Sequence, residues 1–317
     1  MTRTAIIDLG TNTFKLLLVD IHHDGSYEIV LNNKIPVKLA EGGTDDNILS
    51  TDAFQRGINA LNTFKYNIID YFEVKKVFAF ATAAIRTSEN GAWFVDYVSK
   101  HIGIDIQIIS GEREAELVFQ GACTAVEFSD DNYLVCDIGG GSTELIIGNR
   151  NEILWKESFR LGASRMTEKF KMSDPPRKSE IQAVEVYLSK KLSPLFTAVN
   201  KYPVTKLIGT SGAFSTLARI AHFENDPKGI IPNEAAIPID IQTLEAVLAK
   251  IVRLNHQQRQ HLPGIKLIRV KMMAAAAVFI NFLVKSINFE EIIFSDYALK
   301  EGVISQVVEN ILAEQNS

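Results

Sequence analysis

The chain has 317 residues, long for one hydrophobic core, so two domains are expected. Its 46% hydrophobic and 22% charged residues are those of a globular protein, and a net charge of −5 gives no general attraction to nucleic acid or anionic membranes. Met1-Thr2-Arg3-Thr4 leads straight toward a strand with no room for a signal peptide, and the two cysteines, Cys123 and Cys136, are expected as buried free thiols. A reducing, cytoplasmic setting is the expectation.

Strand-like runs open the chain at Ala5–Asp8, Phe14–Val19 and Tyr27–Lys34. Apolar positions Phe54, Ile58, Leu61, Phe64 and Ile68 recur at helical period and predict a helix over Thr51–Phe72, with Thr51 and Asp52 as its N-cap region. Strands at Lys76–Ala81 and Asp105–Ile109 flank a helix near Gly91–His101. Another helix is expected from about Glu112 to Val126. This order fits a mixed sheet with helical connections.

Ser129-Asp130-Asp131-Asn132 is a polar break, taken as the domain boundary. Beyond it the opening pattern repeats with strands at Tyr133–Cys136, Glu144–Gly148 and Ile153–Arg160. A long helix is predicted over Ser179–Val199, a strand at Lys206–Gly209 and a loop-like connection over Pro227–Pro238. Helices at Asp240–Leu254, Val270–Ser286 and Ala298–Ala313 complete the chain, with a strand at Glu291–Phe294. The apolar stretch Met272–Val284 is shorter than the roughly 20 residues of a membrane span and reads as a buried helix.

One phrase is written twice. Ile7-Asp8-Leu9-Gly10-Thr11-Asn12-Thr13 and Cys136-Asp137-Ile138-Gly139-Gly140-Gly141-Ser142 each lie between two apolar runs. A strand, a turn rich in free N–H groups and a returning strand make a phosphate-binding hairpin. Two copies imply two similar domains facing one anionic ligand. Gly10, Thr11, Asn12 and Thr13, with Gly139, Gly140, Gly141 and Ser142, are the candidate phosphate contacts, and Thr210, Ser211 and Gly212 form a third small-residue loop. Asp8, Asp137 and Glu144 are candidate Mg²⁺ ligands, because hard oxygen donors near phosphates suit that ion. Arg86, beyond a strand end, could clamp phosphate or be a surface ion pair. In Ser110-Gly111-Glu112-Arg113-Glu114-Ala115-Glu116 the acidic residues could cap a helix, or one could act as a general base. None of the six histidines has metal-ligand spacing.

Taken in order, these segments resemble the exopolyphosphatase and guanosine pentaphosphate phosphatase (Ppx/GppA) family of the actin, sugar-kinase and heat-shock ATPase superfamily. The likeness is carried by the two hairpin phrases, Ala81-Thr82-Ala83-Ala84-Ile85-Arg86, Ile109–Ala115, Gly209-Thr210-Ser211-Gly212 and Ser295-Asp296-Tyr297-Ala298-Leu299-Lys300-Glu301-Gly302. It implies an α/β protein of two actin-like (ribonuclease H-like) domains, each a mixed sheet flanked by helices, with the active site in the interdomain cleft. The domains would span 1–127 and 128–297, with helix 298–313 packed on the first. It implies Glu114 as catalytic base, Arg86 as a phosphate-binding arginine, and metal and phosphate around Asp8, Asp137, Gly139 and Glu144.

The expected activity is Mg²⁺-dependent removal of terminal phosphate from inorganic polyphosphate. Guanosine pentaphosphate hydrolysis, a small-molecule kinase of the superfamily and a non-catalytic sensor are the alternatives. A monovalent cation such as K⁺, a homodimer and a stringent-response role are left open. Three departures stand out: further C-terminal helical domains of many relatives have no counterpart here, Arg269-Val270-Lys271-Met272-Met273 replaces a segment that often carries aspartate and a proline-glycine pair, and Tyr297 and Lys300 stand where glycine and arginine are common.

Overall fold

The structure is a computed structural model and describes residues 1–41 and 48–315. Two compact units form, one of Met1–Gly121 with the residues from Leu299 onward, the other of Ala122–Ala298. The division falls inside a helix, not at the polar break after 128.

In the first unit, β1 (Thr2–Leu9), β2 (Thr13–Ile21), β3 (Tyr27–Pro36), β4 (Lys76–Ala81) and β5 (Ile106–Ile108) form one sheet in the order β3-β2-β1-β4-β5. β1, β2 and β3 are antiparallel neighbours, while β4 and β5 run parallel to β1. The helices are α1 (Thr51–Phe64), α2 (Ala83–Thr87), α3 (Gly91–Ile102) and α4 (Gly111–Ala125), the last crossing the unit boundary. Alternate residues Ala5, Ile7 and Leu9 of β1 with Leu16 and Leu18 of β2 face a core closed by Leu61 and Phe64 of α1 and Phe94 and Val98 of α3.

The second unit follows the same plan. β6 (Tyr133–Ile138), β7 (Thr143–Gly148), β8 (Ile153–Phe159), β9 (Lys206–Thr210), β10 (Ala236–Pro238) and β11 (Glu291–Ser295) are ordered β10-β11-β9-β6-β7-β8. Its helices are α5 (Ala163–Phe170), α6 (Lys178–Lys191), α7 (Ser193–Lys201), α8 (Ser211–Asn225), α9 (Ile241–Arg253), α10 (His256–Gln260) and α11 (Val270–Ser286); α12 (Leu299–Gln315) returns to the first unit. Both units are mixed sheets flanked by helices, as expected.

Local chemistry corrects several expectations. Ser50, not Thr51 or Asp52, caps α1, its Oγ accepting the Ala53 N–H at 3.2 Å. The helix ends as an α-helix at Phe64 and continues as one π-helical stretch, Lys65–Asp70. The single helix expected over Ser179–Val199 is two, because Pro194 has no N–H to continue the ladder and instead sits in the first turn of α7. β10 lies inside the stretch read as a connection. Cys136 is buried as expected, whereas Cys123 is exposed on α4.

The segment Leu267–Ser286 is long and apolar enough to cross a membrane by length and composition, and most of it is buried within the second unit. Met273, Ala276, Ala277, Phe279, Ile280 and Leu283 of α11 lie at the centre of that core.

Candidate functional site

Three segments of the first unit leave the sheet side by side. β1, β4 and β5 are parallel neighbours, with Leu9 opposite Ala81 and Ala81 opposite Ile108, so the turn after Leu9, the run from Thr82 and the run from Ile109 emerge at the same C-terminal edge. Open sheets of this kind bind ligands at that edge. Thr82 ties two of the segments together, its Oγ1 donating to the Leu9 carbonyl at 3.2 Å.

Arg86, on the short α2, donates from Nη1 to the Ile109 carbonyl at 3.1 Å and to Glu114 Oε2 at 2.7 Å. Glu114 stands in the first turn of α4, 9% exposed. The helix N-terminus is capped by Ser110, whose Oγ accepts the Arg113 N–H at 3.1 Å, and the Glu114 side chain is held by Arg86. A buried carboxylate in a charge-assisted pair is costly to keep for stability alone.

The first hairpin turn has its carbonyls fastened. Val37 and Lys38 N–H groups donate to the Asn12 carbonyl at 2.9 and 3.1 Å, and Leu39 N–H donates to Thr11 at 2.7 Å. In a trans peptide the carbonyl and the following N–H point in opposite directions. Holding the carbonyls of Thr11 and Asn12 therefore turns the N–H groups of Asn12 and Thr13 away from the holding loop. Asp8, 6% exposed, pairs across the hairpin with Lys15, Nζ to Oδ2 2.9 Å.

The second hairpin is held the same way. Ala163 N–H donates to Gly139 at 2.9 Å, Ser164 and Arg165 N–H to Gly140 at 3.1 Å each, and Gly162 N–H to Gly141 at 3.4 Å. The N–H groups of Gly140, Gly141 and Ser142 are accordingly directed away from this loop. The packing demands glycine at 162: a Cβ there would lie 2.4 Å from the Gly140 carbonyl carbon and oxygen. A polar row crosses the sheet, since Thr210 is opposite Asp137, Asp137 opposite Glu144 and Glu144 opposite Ser158. Ser158 Oγ donates to Glu144 Oε1 at 2.7 Å, and Glu144 is 1% exposed.

Thr210, Ser211 and Gly212, expected as a loop, are the direct junction of β9 and α8, and this junction carries backbone strain and a cation. Ser211 has φ of 61°, unusual for a residue with a side chain. Arg269 packs its guanidinium against Gly212, where any Cβ would collide with it. Burial pushes the Arg269 pKa down to about 10, against the opposite pull of Asp137 and Asp296. Arg269 Nε and Thr210 Oγ1 are buried and have no hydrogen-bond partner. A desolvated cation and an unsatisfied hydroxyl beside a glycine turn are suited to an anion.

Arg269 and Lys15 are candidate site residues to which the sequence reading gives no role. The signal for Lys15 is its spacing: it stands seven residues after Asp8, as Glu144 stands seven after Asp137. Arg269 could not be found this way, since it comes from a segment remote in sequence.

Among the described residues no group of three or more histidine, cysteine, aspartate or glutamate side chains is arranged to hold a metal. The structure sets Asp137 and Glu144 opposite each other in the second unit, while Asp8, in the first, is ion-paired with Lys15. Magnesium is commonly held by one or two carboxylates with phosphate oxygens and water completing the shell, so Asp137 and Glu144 fit it.

The crystal structure of an exopolyphosphatase from Cytophaga hutchinsonii superposes with a TM-score of 0.93 at 35% identity, covering 98% of each chain. Exopolyphosphatase 1 of Mycobacterium tuberculosis is 28% identical over 308 residues, 95% of this chain and 87% of that protein. A Vibrio cholerae guanosine-5'-triphosphate,3'-diphosphate pyrophosphatase is 27% identical over 310 residues, 98% of this chain but 60% of the relative. The profile of the Ppx/GppA phosphatase family matches residues 18–311, which takes in Arg86, Glu114, the second hairpin and the third loop. With a family match over most of the chain and a solved relative 35% identical along nearly its whole length, the chain belongs to the Ppx/GppA phosphatase family.

Proposed function

We propose that the protein is an exopolyphosphatase, hydrolysing the terminal phosphoanhydride bond of inorganic polyphosphate and releasing orthophosphate. The observation that carries this reading is the Arg86–Glu114 pair, 2.7 Å apart at the sheet edge where the first glycine turn emerges. Glu114 Oε2 takes a proton from the attacking water as its oxygen bonds to the terminal phosphorus and the bridging P–O bond breaks. Arg86, with five donors in a fixed fork, can hold the carboxylate and the terminal phosphate together.

Within the first unit the N–H groups of Asn12 and Thr13 are suited to phosphate oxygens, and within the second those of Gly140, Gly141 and Ser142 are. Arg269 adds positive charge. Asp137 and Glu144 would hold Mg²⁺, with Asp8 the remaining candidate; the ion, when bound, neutralises phosphate charge.

The test is a phosphate-release panel in Mg²⁺ with long polyphosphate, tripolyphosphate, guanosine pentaphosphate and ATP. Glu114→Gln should abolish release from polyphosphate while largely preserving binding. Near-wild-type release by that variant would remove Glu114 from the base role. The Vibrio cholerae relative is the reason for including guanosine pentaphosphate, and a higher kcat/KM on it would replace polyphosphate as substrate. Incorporation of oxygen from labelled water into the released phosphate, without an acceptor, would exclude the kinase alternative.

A further inference from the structure

The peptide groups of the second glycine turn are not all held equally. The Gly139 and Gly140 carbonyls accept backbone N–H groups at 2.9 and 3.1 Å, whereas the one backbone donor to Gly141, Gly162, is at 3.4 Å. That length is beyond the usual range for an N–H···O bond, so backbone alone holds this last peptide weakly. The stronger donor is a side chain: Arg165 Nε reaches the Gly141 oxygen at 3.1 Å. The backbone N–H of the same residue donates to Gly140, so Arg165 grips two consecutive carbonyls.

We infer that Arg165 is a positioning residue for anion capture: by fixing the Gly141 carbonyl it sets the direction of the Ser142 N–H. The inference rests on the reading of this turn as a phosphate cradle. The peptide between Gly141 and Ser142 is rigid and trans, so turning its carbonyl turns its N–H equally. Two glycines precede it and do nothing to restrict the turn. Nε is the donor nearest the chain and is held in the guanidinium plane, a geometry that lysine cannot reproduce. The side chain is half-buried and lies among Arg160, Glu168 and Tyr187, of which Arg160 repels its charge while the other two favour it.

The first unit has the same device one step further out. Arg56 donates from Nε to the Val37 carbonyl and from Nη2 to the Lys38 carbonyl, both at 2.7 Å. Val37 and Lys38 are the residues whose N–H groups hold Asn12. In each unit, then, an arginine on the element after the third strand steadies the turn without belonging to it.

The experiment compares wild type, Arg165→Ala and Arg165→Lys in kinetics on polyphosphate and in calorimetric binding of tripolyphosphate with Mg²⁺. Loss of a charge-assisted hydrogen bond predicts an about tenfold rise in KM and in tripolyphosphate Kd for Arg165→Ala, with kcat changed much less. Arg165→Lys should not recover the affinity, and added guanidinium ion should partly restore Arg165→Ala. Full recovery by Arg165→Lys would show that charge alone matters and would overturn the inference, as would unchanged binding in Arg165→Ala. If Arg165→Ala does not fold, the decision falls to Arg165→Lys alone: the predicted loss of affinity supports the inference and wild-type affinity overturns it. Should the wild type release no phosphate from any substrate, the functional reading fails, and the tripolyphosphate binding series still decides the role of Arg165.

Discussion

Glu114 and Arg86 show how much a single pair of side chains carries. In the proposed reaction Glu114 is the base and Arg86, 2.7 Å away, both aims it and holds the phosphate, so removing the arginine would lose both roles. Arg86→Ala is expected to lower kcat/KM by at least about 100-fold, more than the roughly tenfold that one lost hydrogen bond would give, because two functions are lost together. Steady-state phosphate release decides it, and a tenfold loss or less would place Arg86 outside the reaction. Arg269 poses the opposite case. Its guanidinium is buried and partly unsatisfied, a cost that a bound anion would relieve. Tripolyphosphate should therefore raise the melting temperature of the wild type more than that of Arg269→Met. An equal shift in both would exclude Arg269 from the anion site.

At the scale of elements, the β1–β2 hairpin offers a pH test. Arg3 sits opposite Asp20 and donates to it at 2.8 and 2.7 Å, holding its carboxyl below the usual range. A carboxylate depressed in the folded state stabilises fully above its unfolded pKa of about 4, and that contribution is lost as pH falls through the folded value. Asp20→Asn should thus melt below wild type at pH 7, and the gap should close as pH falls below the usual carboxylate range. A gap that persists there would assign the effect to packing. The second hairpin offers a steric test. Gly162→Ala must move the Gly140–Gly141 backbone and should weaken polyphosphate binding more than it lowers the melting temperature.

Most elements were legible because their patterns are local. Helical spacing marks α1, and continuous apolar runs mark β1 and β6. α8 was not read, although Ser215, Arg219 and His222 recur at helical spacing on the side opposite buried Phe214, Leu217 and Ala221, because the small residues Thr210-Ser211-Gly212 that open it read as a loop. Its first residue, Ser211, has φ of 61°, which no capping signal announces. The break at Leu192 was signalled by Pro194, but a proline tolerated in a first turn reads much like one that kinks a continuing helix.

At the scale of the whole chain there are two separate cores, one about α1 and α3 and one about α11. Phe279, 1% exposed in the second, should cost about 3–5 kcal/mol on replacement by alanine, measured by denaturant unfolding. A much smaller loss would mean that this core collapses around the gap.

By itself the sequence determined the α/β class, the duplication and the two turns, because each is written in contiguous residues whose spacing has a direct physical meaning; Arg86 was one of two readings of its position, and Glu114 was singled out by the family resemblance. Only the tertiary structure decided which groups meet: Arg86 with Glu114, Lys15 with Asp8, Arg269 with Gly212 and Arg165 with Gly141. Those contacts depend on strand register and on loops folding back over the turns. Spacing along a chain does not encode the direction of a peptide N–H until its carbonyl has found a partner.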